Sequence, residues 1–311
     1  MESILVTGAC GQLGSELTLA LREKYGSKQV IATDIRQPAH CLHNEPFELL
    51  DILDKSQLQK LIDKYHITRI FHMAAILSAK AEDNPLLAWE LNTTGLLNVL
   101  EVARNNNKIK IFWPSSIAVF GPSTPRSNTP QNVIMDPDTV YGISKLACER
   151  WCEYYNHHYG VDVRSVRYPG ILSYKTDPGG GTTDYAIEIF HKAIHNEPYE
   201  CFLADNCRLP MMYIDDAVRG TMELMDQPAG QINVRSSYNM AAISFTPGEL
   251  YHAIKEKVSS LSISYQPDFR QKIAASWPES IDDTTARKEW GWAHRYGLEE
   301  TVEVMLEGLK A

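Results

Sequence analysis

Tyr141 and Lys145 are the residues of this chain that could perform acid–base chemistry together, in the segment Tyr141-Gly-Ile-Ser-Lys145. On a helix, residues four positions apart share a face, so the lysine ammonium can hold positive charge beside the tyrosine oxygen. Because a free phenol has a pKa of about 10, such a charge would move it toward the range of a useful general base. A Tyr-x-x-x-Lys pair alone is weak evidence, since many solvated helices carry one by chance.

A glycine-rich turn near the amino terminus predicts a dinucleotide site. Ser3-Ile-Leu-Val-Thr7 is typical of a short buried strand, and Gly8, Gly11 and Gly14 follow it in the spacing G-x-x-G-x-x-G. Glycines there let the backbone approach a pyrophosphate, and the helix predicted over residues 12–25 would direct its N-terminus at that anion. The spacing differs by one residue from the commonest fingerprint, and a glycine pattern by itself also fits a plain strand-to-helix turn.

Asp34 indicates which dinucleotide is favoured. It ends a second apolar strand, Gln29-Val-Ile-Ala-Thr33, about 20 residues after Gly14, where a carboxylate can accept hydrogen bonds from an adenosine ribose. An acid at this position favours NAD. Arg36 keeps NADP open, because an arginine there could bind a 2′-phosphate.

The alternation of predicted strands and helices through the first 170 residues indicates crossover units and a parallel sheet. One strand, Ile109-Lys-Ile-Phe-Trp113, ends close to Ser116, at the edge where open α/β sheets bind ligands. A long amphipathic helix predicted over residues 85–105 carries Asn92. We therefore expect an α/β protein with a Rossmann-type, doubly wound parallel sheet and a smaller carboxyl-terminal substrate lobe.

The domain boundary is predicted near residue 171, where the alternation changes. Residues 1–171 would form the NAD-binding domain and residues 172–311 the substrate lobe. Three segments at 209–214, 231–234 and 238–241 are typical of strands, so residues 210–242 are expected to return to the sheet. The lobe would then consist mainly of residues 172–209 and 243–311.

Composition excludes several classes of protein. The chain has 30 Lys and Arg against 39 Asp and Glu, a net charge of −9, and no basic run, so a nucleic-acid partner would meet unfavourable electrostatics. No apolar run is long enough to span a membrane. The first strand begins by residue 3, which leaves no room for a signal or transit peptide and predicts a cytoplasmic protein, unless a longer mitochondrial precursor is trimmed. The 6 cysteines are scattered without zinc-site spacing, so no metal is expected.

The glycine turn, Asp34, Ser116, the Tyr141-x-x-x-Lys145 pair and Arg167-Tyr-Pro-Gly170, in this order, resemble the extended short-chain dehydrogenase/reductase family over essentially the whole chain. Within that family, the segments at residues 7–14, 178–185, 209–213 and 276–283 are similar to its L-threonine 3-dehydrogenases.

The resemblance implies a role for each residue of the reactive group. Tyr141 would be the base that takes the substrate hydroxyl proton, Lys145 would lower its pKa and bind the nicotinamide ribose, and Ser116 would orient the hydroxyl. Asn92 matches a helix asparagine that shapes a proton-relay water site in related enzymes, and it fits an ordinary hydrogen bond between helices equally well.

The cofactor implied by the resemblance is NAD. Asp51 and Ile52, after a third candidate strand, match residues near the adenine, although Asp51 also fits an exposed loop aspartate. The full set of implied cofactor contacts is Gly8, Gly11, Gln12, Leu13, Gly14, Asp34, Ile35, Asp51, Ile52, Met73, Ala74, Ala75, Leu77, Tyr141, Lys145, Tyr168 and Ile171.

The activity implied is oxidation of L-threonine at its side-chain hydroxyl to L-2-amino-3-oxobutanoate, with NADH formed. The expected substrate contacts are Ser78, Ser116, Tyr141, Thr182, Thr183, Asp184 and Trp277. Asp184 fits a helix N-cap equally well, and Trp277 fits a packed residue of the lobe core. The helices at 85–105 and 141–159 match those of a four-helix interface, which implies a homodimer.

Two other functions are weighed against this one. A nucleotide-sugar epimerase or dehydratase with retained NAD shares the reactive residues, but such enzymes commonly have Phe-Ile at Gln12-Leu13, and the dehydratases have Asp-Glu at Ile117-Ala118. A non-catalytic NAD-binding scaffold would not need Ser116, Tyr141 and Lys145 together, although the fold alone does not exclude one.

Overall fold

The computed structural model describes residues 2–37, 45–106, 109–176 and 179–310. Pro178, the first residue of the segment 178–185 noted in the sequence, lies outside these ranges, and the three glycines at 179–181 are called the glycine loop below.

The strands of the described part are short and mostly buried. They are β1 (Ile4–Thr7), β2 (Val30–Asp34), β3 (Phe47–Leu49), β4 (Arg69–His72), β5 (Lys110–Ser116), β6 (Asp162–Tyr168), β7 (Gly170–Leu172), β8 (Tyr199–Cys201), β9 (Leu209–Tyr213), β10 (Tyr238–Asn239), β11 (Ile243–Phe245) and β12 (Ile263–Tyr265).

The helices lie mainly between these strands. They are α1 (Gln12–Tyr25), α2 (Lys55–Tyr65), α3 (Ser78–Asp83), α4 (Pro85–Trp89), α5 (Gly95–Asn105), α6 (Val140–Tyr159), α7 (Tyr185–Ile194), α8 (Ile214–Asp226), α9 (Pro247–Lys257), α10 (Phe269–Ala275), α11 (Thr284–Trp290) and α12 (Leu298–Lys310).

The main sheet has the strand order β10-β6-β5-β4-β1-β2-β3 in the described residues, and its strand pairs are parallel. Helices cover both faces, and an apolar core lies on each side of the sheet. The chain reverses its winding between β1 and β4, the place where such sheets bind ligands. This confirms the predicted Rossmann-type α/β fold.

A second, three-stranded sheet joins β7, β9 and β11 and holds one segment that was expected in the main sheet. Residues 209–214 were predicted to return to the main sheet, but the strand they form, β9, pairs with β7 and β11. Of the three predicted strands, β10 reaches the main sheet, where it pairs with β6.

The predicted strand at residues 231–234 is wrong. The backbone amides of Asn233 and Val234 both donate to the hydroxyl of Tyr238, at 3.1 and 3.2 Å. These amides are therefore not paired with a neighbouring strand.

The helix predicted over residues 85–105 contains a widened turn. Helix α4 continues into a π-helical segment, Glu90–Thr94, and then into α5. Such segments are frequent at functional sites because they redirect side chains. Asn92 lies in this one and is buried.

The described residues contain no helix that is long and apolar enough to cross a membrane. They also contain no group of three or more His, Cys, Asp or Glu side chains arranged to hold a metal ion.

Candidate active site

Helix α6 brings Tyr141 to the carboxyl end of β5. The helix begins where the Thr139 hydroxyl accepts a hydrogen bond from the Gly142 amide at 3.1 Å. A side chain at Gly142 would come within 2.2 Å of the Ala118 carbonyl oxygen. Glycine at this position therefore lets the first turn of α6 pack directly against the turn that follows β5 and Ser116.

Tyr141 and Ser116 meet at this contact. The Ser116 hydroxyl forms a hydrogen bond with the Tyr141 phenol, but burial dominates and raises the pKa of Tyr141 to about 12. A lowered pKa was expected from the spacing of Tyr141 and Lys145. The difference arises because burial disfavours the phenolate, and because the Lys145 ammonium donates to the Pro114 carbonyl oxygen at 2.6 Å.

Lys145 nevertheless stays close to the phenol. Its Nζ atom lies 5.5 Å from the centroid of the Tyr141 ring and 4.5 Å from that of Trp113. Burial lowers the pKa of Lys145 to about 8. The ammonium and the phenol thus share one water-poor site, where charge interactions are strong.

A cavity of about 240 Å³ opens above these residues. Its lining includes the glycine turn as well as Tyr141 and Ser116, so it can hold part of the cofactor beside a small substrate. Predicted site residues supply most of its lining: Gly11, Gln12, Leu13, Met73, Ala75, Leu77, Ser78, Ser116, Tyr141, Lys145, Tyr168, Ile171, Thr182, Thr183, Asp184 and Trp277. Sequence reasoning did not identify Pro114, Ser115, Ile117, Pro169, Gly170 and Gly181, which also line it.

One wall of the cavity is polar. The hydroxyls of Ser78 and Thr182 lie 3.4 Å apart, and both residues are buried. The Asp184 carboxylate accepts the backbone amides of Gly180 and Gly181 at 2.7 and 2.8 Å. Asp184 occupies the N-cap position of α7, but its side chain makes no capping bond there and instead holds the glycine loop.

Asn92 lies behind another wall, outside the cavity. Its side-chain oxygen accepts the Ile76 amide at 2.9 Å, while its nitrogen donates to the Ile76 carbonyl at 3.1 Å and to the Ser144 hydroxyl at 3.3 Å. The side chain therefore fixes the loop between β4 and α3, which carries several residues of the cavity lining.

Comparison with known proteins places this arrangement in a family. The model of the NAD dependent epimerase/dehydratase family matches residues 4–241. The chain belongs to this family. A curated member, an uncharacterized epimerase/dehydratase from Staphylococcus aureus (strain USA300), is 45% identical and covers 100% of this chain and 97% of its own length.

Solved structures give more specific similarities. A GalE-like L-threonine dehydrogenase from Cupriavidus necator, in its holo form, is 53% identical with a TM-score of 0.97, and 99% of each chain is covered. A monomeric L-threonine 3-dehydrogenase from a metagenome, in its apo form, is 47% identical with a TM-score of 0.95, covering 99% of this chain and 98% of its own.

NAD is the cofactor of this family, and the glycine turn fits it. Gly8 has a φ of 68°, and a side chain there would meet the Ala74 backbone nitrogen at 2.5 Å. A side chain at Gly14 would lie 2.2 Å from the Gly8 carbonyl oxygen. The N-cap of α1, Gly11, provides no side-chain cap, so the first amides of the helix are available for a pyrophosphate.

Asp34 lies at the far end of this turn. Its carboxylate is 7% exposed and accepts the Cys10 and Arg36 amides at 3.0 and 3.1 Å. The carboxylate occupies the place where a 2′-phosphate would have to bind. The Arg36 guanidinium lies 3.4 Å from it and is paired with this carboxylate. The structure therefore favours NAD at this position.

The remaining predicted cofactor residues lie outside the cavity. Ile35 is exposed, and Ile52 is buried against Gly95. Asp51 is an exposed loop residue whose carboxylate accepts the Leu53 amide at 2.9 Å. Contact of Asp51 with the adenine stays a prediction.

Two buried features of the site were not foreseen from the sequence. His72 ends β4, and its Nδ1 atom lies 2.8 Å from the Thr7 hydroxyl at the end of β1. Burial lowers the pKa of His72 to about 3, so the ring is neutral and joins the two strands that flank the cofactor turn. The second feature is an ion pair between Glu149 and Arg167, which form a bidentate contact beneath β5.

Proposed function

We propose that this protein oxidises L-threonine at its side-chain hydroxyl to L-2-amino-3-oxobutanoate, with reduction of NAD. The observation that carries the proposal is the cavity of about 240 Å³, which is lined by Tyr141, Ser116 and Lys145 and also by the polar side chains of Ser78, Thr182 and Asp184. A small substrate with a hydroxyl, an ammonium and a carboxylate matches such a site. The solved L-threonine dehydrogenases that resemble the whole chain support the same reaction.

Tyr141 acts as the general base in this proposal. Ser116 orients the substrate hydroxyl toward the phenol, and Tyr141 takes its proton. When bound, NAD supplies the hydride acceptor and a positively charged nicotinamide ring. Because the pKa of Tyr141 is raised to about 12 without ligands, the base depends on nearby positive charge, which Lys145 also provides.

The polar wall holds the amino-acid part of the substrate. We assign the carboxylate to the hydroxyls of Ser78, Thr182 and Thr183, whose positions in the cavity lining support this. Asp184 attracts the ammonium from its place at the glycine loop. Trp277, buried at the cavity edge, excludes water from the reacting atoms.

These contacts indicate which part of the chain binds the cofactor and which binds the substrate. We assign NAD to residues 1–171 with part of 210–242, and the substrate mainly to residues 172–209 and 243–311. The glycine turn belongs to the first part, and Thr182, Asp184 and Trp277 belong to the second.

We also propose that two copies associate through α6 and the helical segment 85–105, which comprises α4 and α5. These helices contact each other, and their exposed apolar side chains include Leu86, at 83% exposure, Trp89, Trp151 and Tyr154. Isolated apolar residues on a surface are ordinary, whereas neighbouring ones mark an interface. One solved relative is described as monomeric, so sedimentation equilibrium is the test of whether this chain forms a dimer. The cytoplasmic location stays a prediction.

The decisive experiment mixes purified protein with NAD and L-threonine and follows NADH absorbance, with L-serine, L-allo-threonine and UDP-glucose as alternative substrates. We expect NADH with L-threonine and its loss, by roughly a hundredfold or more, in Tyr141→Phe. Tyr251→Phe, which changes a tyrosine of α9 outside the cavity lining, is the matched control and should retain the wild-type rate. Absence of NADH with every amino acid would contradict the proposal and direct attention to nucleotide sugars.

A further inference from the structure

A buried carboxylate, Glu149, links the strand and the helix that carry the reactive residues. It is 0% exposed. Its Oε1 atom accepts the Ser115 hydroxyl at 2.6 Å and the Arg167 Nε at 2.9 Å, and its Oε2 atom accepts the Arg167 Nη2 at 2.8 Å. Every oxygen of the carboxylate thus has a partner, which a buried charge requires.

The location of this network relates it to catalysis. Glu149 lies one helical turn after Lys145 on α6, the helix that also carries Tyr141. Ser115 immediately precedes Ser116 on β5. A single carboxylate therefore bridges the two elements whose relative position sets the contact between Ser116 and Tyr141.

We propose that Glu149, held by Arg167, is a positioning residue that acts through Ser115 to keep Ser116 in register with Tyr141 and Lys145. Glu149 and Arg167 do not line the cavity, and the hydroxyl of Ser115, which does line it, is donated to Glu149. The inference rests on the proposed function, because it assigns Ser116 and Tyr141 to the reaction.

Arg167 extends the same network toward the opposite wall. Its Nη1 atom donates to the Gln131 carbonyl at 3.0 Å and to the Asn239 side-chain oxygen at 2.9 Å. Asn239 in turn donates to the carbonyls of Thr129 and Asp282, both at 3.1 Å. Asp282 lies five residues after Trp277, so the network also reaches the segment that carries this residue of the cavity lining.

The electrostatics explain why the link is rigid. Arg167 is 1% exposed, and its guanidinium also lies over the Phe120 ring, 5.2 Å from the centroid. Neither charge can turn away without leaving the other buried and unpaired, so one arrangement is strongly preferred. Sites that hold reactive groups in a fixed geometry depend on such supporting contacts.

The test uses Ser115→Ala, which removes the link to β5 and leaves the ion pair intact. We expect kcat for L-threonine to fall roughly 10-fold, because small displacements of reacting groups slow catalysis strongly. The rising limb of the pH profile should move up by about half a pH unit, since a displaced Ser116 no longer supports the phenolate. The KM for NAD should stay within about twofold of wild type.

Ser165→Ala is the matched control. Ser165 is buried on the neighbouring strand β6, and its hydroxyl bonds that of Ser237 at 2.6 Å, away from Glu149. Both variants lose one buried hydroxyl contact, and the melting temperature should fall more in Ser115→Ala, whose lost hydrogen bond is to a carboxylate. The kcat and pH profile of Ser165→Ala should match wild type. Equal kinetics in the two variants would overturn the inference.

Crystal structures of wild type and Ser115→Ala separate this inference from the proposed function. If wild type forms no NADH from L-threonine, the proposed function fails, and the distance between the Ser116 and Tyr141 hydroxyls still tests the positioning role. A displaced Ser116 in the variant supports that role, and an unchanged distance refutes it.

Discussion

Tyr141 lies in an environment that opposes its proposed role until ligands bind. With a pKa raised to about 12 by burial, the phenol is protonated at neutral pH. Lys145 has a pKa lowered to about 8 by the same burial, so its charge is present below that pH and is lost above it. The reactive state therefore needs positive charge near the phenol oxygen, and the lysine is the chain's own source of it.

The pH dependence of kcat tests this coupling. Oxidation needs the Tyr141 base deprotonated, so activity rises with pH through the Tyr141 pKa of the complex and is lost as the pH falls. Lys145→Met removes the neighbouring positive charge, so we expect the rising limb to move to higher pH and kcat near pH 7.5 to fall by roughly a hundredfold.

The measurement is kcat at saturating NAD and L-threonine across the accessible pH range. Lys175→Met is the control, because Lys175 pairs with Glu16 at the surface, at 2.5 Å. A rising limb at the same pH in wild type and Lys145→Met would contradict the coupling.

At the scale of elements, the π-helical segment gives Asn92 a definite structural task. Two hydrogen bonds connect its side chain to the Ile76 amide and carbonyl, at 2.9 and 3.1 Å. Ile76 lies between Ala75 and Leu77, which line the cavity. From the sequence, Asn92 could either shape a proton-relay site or form an ordinary hydrogen bond between helices. The observed contacts fit a residue that holds the loop.

Asn92→Ala distinguishes the two roles. If Asn92 holds the loop, the variant leaves the Ile76 amide and carbonyl without partners, so the free energy of unfolding should fall by about 2 kcal/mol and the KM for L-threonine should rise. Urea denaturation and steady-state kinetics measure these effects. Asn105→Ala, at an exposed position near the end of α5, should change neither quantity.

A lower kcat in Asn92→Ala, with unchanged stability and KM, would instead indicate the proton relay. In that case the two hydrogen bonds to Ile76 contribute little, and the loop keeps its position without them.

The sequence predicted the elements and the positions of the motifs better than the side-chain contacts. Local spacing in the sequence predicted the glycine turn, Asp34, Ser116 and the Tyr141–Lys145 pair. The structure has the turn between β1 and α1, Asp34 and Ser116 at strand ends, and the pair on α6. Other hydrogen bonds depend on tertiary contacts. Lys145 donates to the Pro114 carbonyl, Asp184 accepts the amides of the glycine loop, and the Tyr238 hydroxyl accepts the amides of residues 233 and 234. No pattern in one sequence specifies such contacts.

At the scale of the whole molecule, the reactive helix also forms part of the exposed apolar surface. Ile143, Trp151 and Tyr154 are exposed on α6, while Leu86 and Trp89 are exposed on α4. A second copy that covers this surface would bury aromatic side chains, which contribute strongly to interfaces. Tyr141 and Lys145 would then be carried by a helix that is fixed on one side by Glu149 and on the other by the partner.

Charge substitution on this surface tests the association. We expect the wild-type protein to sediment with twice the 35.1 kDa mass of the chain. The double variant Trp151→Glu, Leu86→Glu should sediment as a single chain, because buried carboxylates without partners strongly disfavour an interface. Phe269→Glu changes an equally apolar residue, 63% exposed, on α10 and should leave the dimer intact. Sedimentation equilibrium measures all three. A wild-type protein of single-chain mass would rule out the dimer and align this chain with its monomeric relative.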